Sequence, residues 1–484
     1  MRESNDRPCV SGQYLIDGTW VQGKNLRPII NPANRAEIVG EVAFVNEQEV
    51  TAAIEAADRA YQSWSQSSID DRVNRMLKAA DAVAPLVEEN VVLYVRENGK
   101  VLAEAKKDLA RCLDVMRAAA KELKTWWQPE NWSETPQAVQ IRRRPKGVTA
   151  IITPWNSPVL LTFKRLVPAV LTGNTVVVKP ATNCPLTVMT LIKEMAAHFP
   201  PGVINVVTGS GSLIGKMLST DPRVKVISFV GGTETGKSIM QLASSTLKKL
   251  YMELGGNDPA IVLPDAELDE ETLTRMRGGI LRAAGQVCSA IKRIYVHTSR
   301  YEELVQKLTD QFQQMVVGDG TIPDVNMGPL NNEKQYRFVQ DLIEQTKAAG
   351  RNLIVAGQKY DPGSWEQGYF ILPHIVADAE PTDPLVSCEQ FGPIIPIIPY
   401  QDVDEAIQYA NDSIYGLRAS VWTKDREKAK VFADRLQAGA VFHNNHTVFQ
   451  DLHLDFPGLK QSGISRETRW FSFELFADSY GFAN

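Results

Sequence analysis

Five short apolar runs in the middle of the chain decide its fold. They read VTAII at 148–152, TVVV at 175–178, VINVV at 203–207, VKVISF at 224–229 and LYME at 250–253. Successive runs begin 21 to 28 residues apart, and the sequence between them is typical of helices, for example at 186–198 and 213–218. Strands that alternate with helices in this way form right-handed βαβ units, so the pattern predicts a parallel sheet.

The regions on either side of these runs predict further α and β structure. Apolar residues recur at helical spacing within 51–125, which predicts amphipathic helices. A second α/β region is expected from about residue 260, with strands at 260–263 and 293–297 and a helix at 301–316.

Two other segments differ from this α/β pattern. Residues 126–144 contain two prolines and end in three arginines, which predicts an extended excursion, a hairpin. The last segment, 470–484, is rich in aromatic residues. It is expected either to form an intersubunit surface or to cover the protein's own core.

Composition excludes several classes of protein. The 484 residues carry 52 Lys and Arg against 57 Asp and Glu, a net charge of −5, which argues against a nucleic-acid partner. Five scattered cysteines without a Cys-x-x-Cys pair argue against a disulfide framework and a structural metal site, and four of them are expected to be buried. The first eight residues contain no signal-peptide pattern, and the longest uncharged run, 147–163, is interrupted by prolines. A soluble cytoplasmic protein without a membrane segment is therefore expected.

Polar residues and glycines follow each of the five predicted strands. Ligands bind at the carboxyl ends of parallel strands, so these loops predict a binding site on one edge of the sheet. The loops are Pro154-Trp155-Asn156-Ser157-Pro158, Lys179-Pro180, Gly209-Ser210-Gly211 with Gly215, Gly231-Gly232-Thr233 with Gly236, and Glu253-Leu254-Gly255-Gly256. The glycines at 209, 211 and 215 depart from the common dinucleotide fingerprint. They fit either the approach of a phosphate or a tight turn with helix–strand packing.

Cys288 is the candidate nucleophile, because its neighbours in Gly-Gln-Val-Cys-Ser are typical of an exposed loop. A thiol needs a base or a positive environment to react at neutral pH, and Glu253 could serve as that base. The spacing alone leaves open whether the two residues meet. His443 and His446 fit either a substrate contact or hydrogen bonds within a loop, and no third ligand suggests a metal.

Taken together, the motifs resemble the aldehyde dehydrogenase superfamily over nearly the whole chain. The motifs that carry this resemblance are Pro154-Trp155-Asn156-x-Pro158, Lys179-Pro180-Ala181, Glu253-Leu254-Gly255-Gly256, Gly285-Gln286-x-Cys288, Glu389-x-Phe391-Gly392-Pro393 and Lys460-x-Ser462-Gly463. Their order and approximate spacing are those of the superfamily, and jointly they are a far more specific signal than any one of them.

The resemblance implies an α/β fold in three parts. A Rossmann-like, parallel-sheet cofactor domain would contain 1–125 and 146–252, and an α/β catalytic domain would contain 253–453. A small β oligomerisation element would contain 126–145 and 454–484, and the protein would form a homodimer or a homotetramer.

The implied activity is oxidation of an aldehyde to the carboxylic acid with reduction of NAD or NADP, through a cysteine thiohemiacetal and thioester. Cys288 would attack the aldehyde carbon, the Asn156 amide and the Cys288 N–H would hold the oxyanion, and Glu253 would activate the hydrolytic water. CoA-acylating semialdehyde dehydrogenases generally lack this glutamate, which makes them the weaker alternative. A catalytically idle scaffold protein is the second alternative, because Thr182 and Gly232 depart from the family pattern.

The resemblance also implies where the cofactor binds. Lys179 would contact the adenosine ribose, Glu389 the nicotinamide ribose, and Phe391 would pack near the nicotinamide. The other expected cofactor-binding residues are Pro154, Trp155, Thr182, Gly211, Gly215, Gly231, Gly232 and Leu254. Thr182 stands where NAD-preferring members commonly carry glutamate, so a 2′-phosphate would not be repelled. Ser157 replaces the usual aromatic residue beside Asn156, which would widen or polarise the substrate tunnel.

Overall fold

The computed structural model describes residues 10–132, 139–446, 457–464 and 472–483. The helices of these residues are α1 (Glu47–Trp64), α2 (Ile69–Glu89), α3 (Val91–Asn98), α4 (Leu102–Trp126), α5 (Pro158–Leu171), α6 (Leu186–Ala196), α7 (Gly211–Thr220), α8 (Thr233–Ala243), α9 (Glu270–Leu281), α10 (Tyr301–Gln313), α11 (Glu333–Ala348), α12 (Pro384–Ser387), α13 (Val403–Asn411) and α14 (Arg426–Arg435).

The strands of the first half of the chain are β1 (Gln13–Ile16), β2 (Thr19–Gln22), β3 (Leu26–Asn31), β4 (Asn34–Ala43), β5 (Glu130–Trp132), β6 (Val139–Pro145), β7 (Val148–Ile152), β8 (Val176–Lys179), β9 (Ile204–Val206), β10 (Val224–Val230) and β11 (Lys249–Glu253). Those of the second half are β12 (Asp258–Val262), β13 (Ile291–His297), β14 (Val316–Val317), β15 (Leu353–Val355), β16 (Gln358–Lys359), β17 (His374–Val376), β18 (Ile394–Tyr400), β19 (Tyr415–Gly416), β20 (Arg418–Trp422), β21 (Ala440–His443), β22 (Leu459–Lys460) and β23 (Ala477–Ala483).

The predicted parallel sheet is present. Strands β7 to β11 form its parallel part in the order β11-β10-β7-β8-β9, and the antiparallel pair β1-β2 extends it to seven strands. Helices α5 to α8 connect the five strands as expected. Strand β7 has the predicted bounds, and no end of the other four strands differs from the sequence prediction by more than one residue. The strand order places the loops after β7, β10 and β11 side by side.

The second α/β region forms another seven-stranded sheet in the order β15-β17-β18-β13-β12-β20-β21. Its two predicted strands are present, but each begins two residues earlier than expected. The predicted helix from residue 301 ends at Gln313 rather than at 316, because the chain turns there into the short strand β14. Pairing between β12 and β13 places the loop that follows β11 next to the loop that precedes β13.

The excursion is a hairpin, as predicted, and it pairs with the C-terminal segment. Strands β5 and β6 are antiparallel, and β23 adds to β6 to complete a three-stranded sheet. Phe473, Leu475 and Phe476 are buried in the core that contains α2, α4 and α5, so this part covers the protein's own core. Tyr480 and Phe482 remain 37% and 41% exposed. The predicted boundaries of the three domains remain a prediction, and parts of 126–145 and 454–484 lie outside the described residues.

Among the described residues, no helix is long and apolar enough to cross a membrane.

Candidate active site

A cleft of about 530 Å³ opens at the carboxyl ends of β7, β10 and β11, and residues of both large sheets line it. Eleven of the fourteen predicted site residues lie in its wall: Pro154, Trp155, Asn156, Thr182, Gly231, Gly232, Glu253, Leu254, Cys288, Glu389 and Phe391. The tertiary structure therefore brings together loops that are more than 200 residues apart in the sequence.

Lys179, Gly211 and Gly215 are not part of this wall. Lys179 is buried at the end of β8, where its ammonium donates to the Pro180 carbonyl at 3.1 Å and to the Thr182 hydroxyl at 3.4 Å. Burial lowers the pKa of Lys179 to about 8. A Cβ atom on Gly211 would lie 3.9 Å from Lys179 Cε, so this lysine and the start of α7 continue the site beyond Thr182.

The spacing of the glycines fitted either the approach of a phosphate or a tight turn with helix–strand packing. The space around each glycine decides between the two. A Cβ atom on Gly215 or Gly232 would meet no atom of the described residues within 4 Å. Packing of a helix on a strand therefore does not require glycine at either position. Gly209 differs, because it has a φ of +116° and a Cβ there would lie 2.8 Å from Phe44 Cα. Gly209 therefore serves the turn and Gly236 allows α8 to pack on Leu254, whereas Gly215 and Gly232 leave open backbone in α7 and before α8. Such backbone suits a dinucleotide phosphate.

The loop that carries Cys288 has an unusual backbone. Ala283 and Ala284 have φ values of 51° and 55°, and Gly285 has 76°. Two consecutive non-glycine residues in the left-handed region cost free energy and persist only when their surroundings hold them. The Ala283 N–H donates to Glu104 Oε1 at 2.8 Å, and the Gln286 amide donates to the Ala283 carbonyl at 2.9 Å. The loop is therefore held in one conformation from two sides.

Cys288 and Glu253 meet in the cleft. Both residues line its wall, Cys288 from the loop before β13 and Glu253 from the end of β11. Burial and the negative charge of Glu253 hold the pKa of Cys288 well above its ordinary value. The thiol is therefore protonated at neutral pH in the free protein, and a carboxylate faces the same cleft.

Asn156 lines the same cleft and is buried. Its Nδ2 donates to the Gln286 carbonyl at 3.0 Å. An amide nitrogen carries two hydrogens, so one N–H anchors the side chain to the cysteine loop and the second is left for a ligand. The sequence predicted this residue but gave no indication of its anchor.

Glu389 and Phe391 reach the cleft on a strained loop. Glu389 Oε1 accepts the Gly256 N–H at 3.0 Å. Phe391 has a φ of 50°, and the Gln335 amide holds this conformation by donating to the Gln390 and Phe391 carbonyls at 3.0 and 3.1 Å. The Phe391 ring packs edge-on against Trp155, with 5.5 Å between the ring centroids.

Sequence reasoning missed several residues of the site. Asn332, Lys334 and Gln335 come from the start of α11, and nothing in the sequence relates this segment to the cleft. Lys292 was also missed, although a lysine within the apolar run of β13 is a signal in itself. A strand covered on both faces normally contains apolar residues only.

Ser157, the replacement for an aromatic residue, has a specific partner. Its hydroxyl accepts a hydrogen bond from Lys100 Nζ at 3.1 Å. Lys100 is buried and also pairs with Asp108 and with the Tyr94 hydroxyl. The residue that follows Asn156 is therefore polar and hydrogen-bonded in this chain.

The histidines serve the fold. His446 is fully buried and its Nδ1 lies 2.9 Å from the Ser420 hydroxyl, while His443 Nε2 lies 2.9 Å from the Thr423 carbonyl. Both rings hydrogen-bond to residues on or next to β20 rather than within their own loop, and the His446 ring has no access to open space for a substrate contact. Among the described residues, no group of three His, Cys, Asp or Glu side chains is placed to hold a metal.

Two of the four cysteines expected to be buried, Cys112 and Cys184, are buried. The prediction is wrong for Cys388, which is partly exposed because it ends the one-turn helix α12 at the surface of the loop before Glu389. Cys9 lies outside the described residues.

Fold and site together define a class of protein: a dinucleotide-dependent enzyme with a cysteine and a carboxylate at its cleft. Residues 20–479 match the model of the aldehyde dehydrogenase family. The chain belongs to this family.

Its relatives cover nearly the full length of the chain. It is 34% identical to alpha-ketoglutaric semialdehyde dehydrogenase of Bacillus subtilis, over 94% of each chain. It is 36% identical to phenylacetaldehyde dehydrogenase of Pseudomonas fluorescens, over 95% of this chain and 94% of the relative. Among solved structures, betaine aldehyde dehydrogenase of Staphylococcus aureus in complex with NAD+ superimposes with a TM-score of 0.92 and 33% identity. That match covers 98% of this chain and 94% of the other.

The protein is therefore an oxidoreductase that oxidises an aldehyde to the acid with NAD(P) as cofactor. The two alternatives, a CoA-acylating enzyme and an idle scaffold, are not favoured.

Proposed function

We propose that Cys288, Glu253 and Asn156 carry out this oxidation in the roles that the sequence predicted. The observation that carries the proposal is that the Cys288 thiol and the Glu253 carboxylate line the same cleft, where the charge of the carboxylate raises the pKa of the thiol. The Asn156 amide, anchored to the Gln286 carbonyl, lines this cleft as well. The three residue types match a nucleophile, a base and an oxyanion donor.

The reaction follows from what each group can hold or move. The thiol loses its proton to solvent as its sulfur bonds to the aldehyde carbon, while the second Asn156 N–H and the Cys288 N–H stabilise the oxyanion. The bound nicotinamide supplies a hydride acceptor. Glu253 then takes a proton from the water that attacks the resulting thioester. The acid leaves, and the Cys288 thiol is restored.

The direct test uses the purified protein with aldehydes of different chemistry and with NAD+ or NADP+. The aldehydes are an aromatic one, a medium-chain one, betaine aldehyde and a carboxylate-bearing semialdehyde. We expect growth of the reduced-nicotinamide absorbance with at least one of them, without added CoA. A folded protein that oxidises none of the panel, or that turns over only when CoA is present, would contradict the proposed roles.

Asn156→Ala is expected to lower kcat by about 10²–10³, the typical effect of removing one oxyanion donor. The KM for the cofactor should change little, since the variant removes a contact to the reacting oxygen. Asn90→Ala is the matched control, because the Asn90 amide also donates to a backbone carbonyl, that of Leu86 at 2.8 Å, but outside the cleft. Equal losses of kcat in the two variants would show that Asn156 acts only through folding.

We propose that the protein accepts both NAD+ and NADP+. Lys179 supplies a positive charge next to Thr182, and Thr182 itself brings no negative charge to that part of the cleft wall. The proposed contacts of Lys179, Glu389 and Phe391 with the ribose and nicotinamide rest on these placements. The open backbone at Gly211, Gly215 and Gly232 supports a pyrophosphate between them.

Thr182→Glu is expected to lower kcat/KM for NADP+ relative to NAD+ by about tenfold or more, because a carboxylate beside a phosphate is repulsive. Thr182→Gln has nearly the same shape without the charge and should leave the ratio close to that of the parent. Initial rates with the two cofactors give both ratios. If the glutamine variant shifts the ratio as far as the glutamate variant does, charge is not the cause.

We also propose that the protein is a homodimer or homotetramer of the cytoplasm. The exposed rings of Tyr480 and Phe482 lie on β23, and Arg144 and Arg142 stack over them at 5.4 and 4.6 Å. Rings that remain outside the fold of one chain suit an interface between subunits. The four described cysteines are all free, which fits a reducing compartment. Sedimentation in solution measures the oligomeric state. A protein that sediments as a single 53.7 kDa chain would contradict the proposed oligomer.

A further inference from the structure

Lys292 occupies an unusual position, four residues beyond Cys288 at the start of β13. Only 3% of this lysine is exposed. Its ammonium donates to the Val287 carbonyl at 2.8 Å and the Cys288 carbonyl at 2.7 Å, with the Ala290 carbonyl at 3.4 Å. An ammonium has three hydrogens, and here all three are directed at the loop that carries the nucleophile.

The same ammonium also faces the cofactor side of the cleft. It lies 4.0 Å from Glu389 Oε1, the oxygen that accepts the Gly256 N–H. A Cβ atom on Gly256 would lie 2.5 Å from the Cys288 carbonyl oxygen, so the two loops are in close contact at this point. The Gln390 amide in turn donates to the Lys292 carbonyl at 2.8 Å. Lys292 therefore bridges the cysteine loop and the Glu389 loop from behind the cleft.

We propose that Lys292 is a positioning residue that holds the Cys288 loop for attack and supplies the positive charge that balances Glu253 and Glu389 around the thiol. The proposal deepens the roles proposed above for Cys288 and Glu389. A neutral side chain of similar length would fill the space, but it would leave two carboxylates beside the sulfur without this cation.

The charges around the thiol support this role. Glu253 and Glu389 both raise the pKa of Cys288, whereas Lys292 lowers it. Lys292 likewise lowers the pKa of Glu389, which burial raises. Lys292 also lowers the pKa of His446, whose Nε2 lies 3.7 Å from Asp258 Oδ2. Burial lowers the pKa of His446, so this ring is neutral near pH 7 and does not replace the ammonium.

Loss of the positive charge of Lys292 has two expected consequences. The thiol becomes harder to ionise, because the positive charge that lowers its pKa is lost. Glu389 also becomes easier to protonate, and a protonated carboxyl is a poorer acceptor for a ribose hydroxyl. The reactivity of the Cys288 thiol and the affinity for the cofactor are therefore both expected to fall when Lys292 is replaced by a neutral residue.

The test measures alkylation of Cys288 by iodoacetamide as a function of pH in the full-length protein, with Cys388→Ser as the common background. Lys292→Met removes both the charge and the hydrogen bonds, whereas Lys292→Gln removes the charge and keeps an N–H donor. We expect both variants to shift the alkylation profile upward by about one pH unit or more, a tenfold slower reaction at neutral pH. We also expect weaker binding of NAD+, measured by calorimetry.

Lys248→Met is the matched control. Lys248 is also buried and donates to two backbone carbonyls, those of Asp221 and Val224, but it precedes the amino end of β11, the far edge of the sheet from Glu253. This variant should lower thermal stability without moving the alkylation profile. An unshifted profile in both Lys292 variants, or an equal shift in Lys248→Met, would overturn the proposal. Because alkylation needs neither aldehyde nor turnover, a shift without any aldehyde oxidation would retain this inference and reject the proposed catalytic roles.

Discussion

Cys288→Ser is expected to lower the rate of aldehyde oxidation by about 10⁴–10⁶-fold, the scale on which loss of a covalent nucleophile reduces kcat. The two side chains have nearly the same volume, so the variant should fold and bind the cofactor as the parent does. A hydroxyl beside Glu253 stays protonated at any physiological pH and attacks a carbonyl poorly. Steady-state rates and NAD+ affinity, measured on one preparation, separate loss of chemistry from loss of binding.

Cys388→Ser provides the control for this experiment. Cys388 is the other partly exposed cysteine of the described residues, and it lies outside the wall of the cleft. The Cys388→Ser variant should retain the rate of aldehyde oxidation of the parent protein. If Cys288→Ser keeps more than a small fraction of the activity, or if both variants lose it equally, Cys288 is not the nucleophile.

Glu253→Gln is expected to separate the two halves of the reaction. Hydride transfer needs the thioester to form but not to hydrolyse, so the first turnover should release about one reduced cofactor per active site. Later turnovers should then slow by about 10²–10⁴, the usual contribution of a general base. Rapid-mixing absorbance measures the burst, and mass spectrometry of the quenched protein measures the acyl group on Cys288.

Glu97→Gln is a suitable comparison, because Glu97 is a buried carboxylate that lies outside the wall of the cleft. It accepts the Leu186 and Thr187 N–H groups at the start of α6 at 2.8 and 2.7 Å. An amide keeps only one of these two acceptors, so Glu97→Gln should lower thermal stability but leave both the burst and the later turnovers close to those of the parent. A Glu253→Gln protein with nearly full steady-state turnover would mean that another group activates the water.

The strands and most of the site could be predicted because their signals are local. Fully buried parallel strands must be apolar along their whole length, so β7 to β11 appear in the sequence as short runs of Val and Ile. Their termini were less certain, since the last ladder bond depends on the neighbouring strand. Eight of the eleven predicted residues in the cleft wall lie at the carboxyl ends of β7, β8, β10 and β11, because loops at one edge of a parallel sheet converge.

Other parts of the site carried no local signal. The Gln335 amide stabilises the left-handed Phe391 from a helix 56 residues earlier, and Glu104 holds the backbone of Ala283 from 179 residues earlier. Each of these residues looks like an ordinary polar residue on a helix. Their roles depend on one hydrogen bond that exists only after the helices have packed.

The sequence by itself determined the fold class, the family and the candidate reacting groups, because apolar periodicity and short motifs are properties of neighbouring residues. Only the tertiary structure decided how those groups lie relative to one another. It placed Glu253 and Cys288 in the wall of one cleft, anchored Asn156 to Gln286, and buried the ammonium of Lys292 between two loops. Burial strengthens each of these interactions, since charges removed from water are weakly screened, and burial is set by the packing of the whole chain.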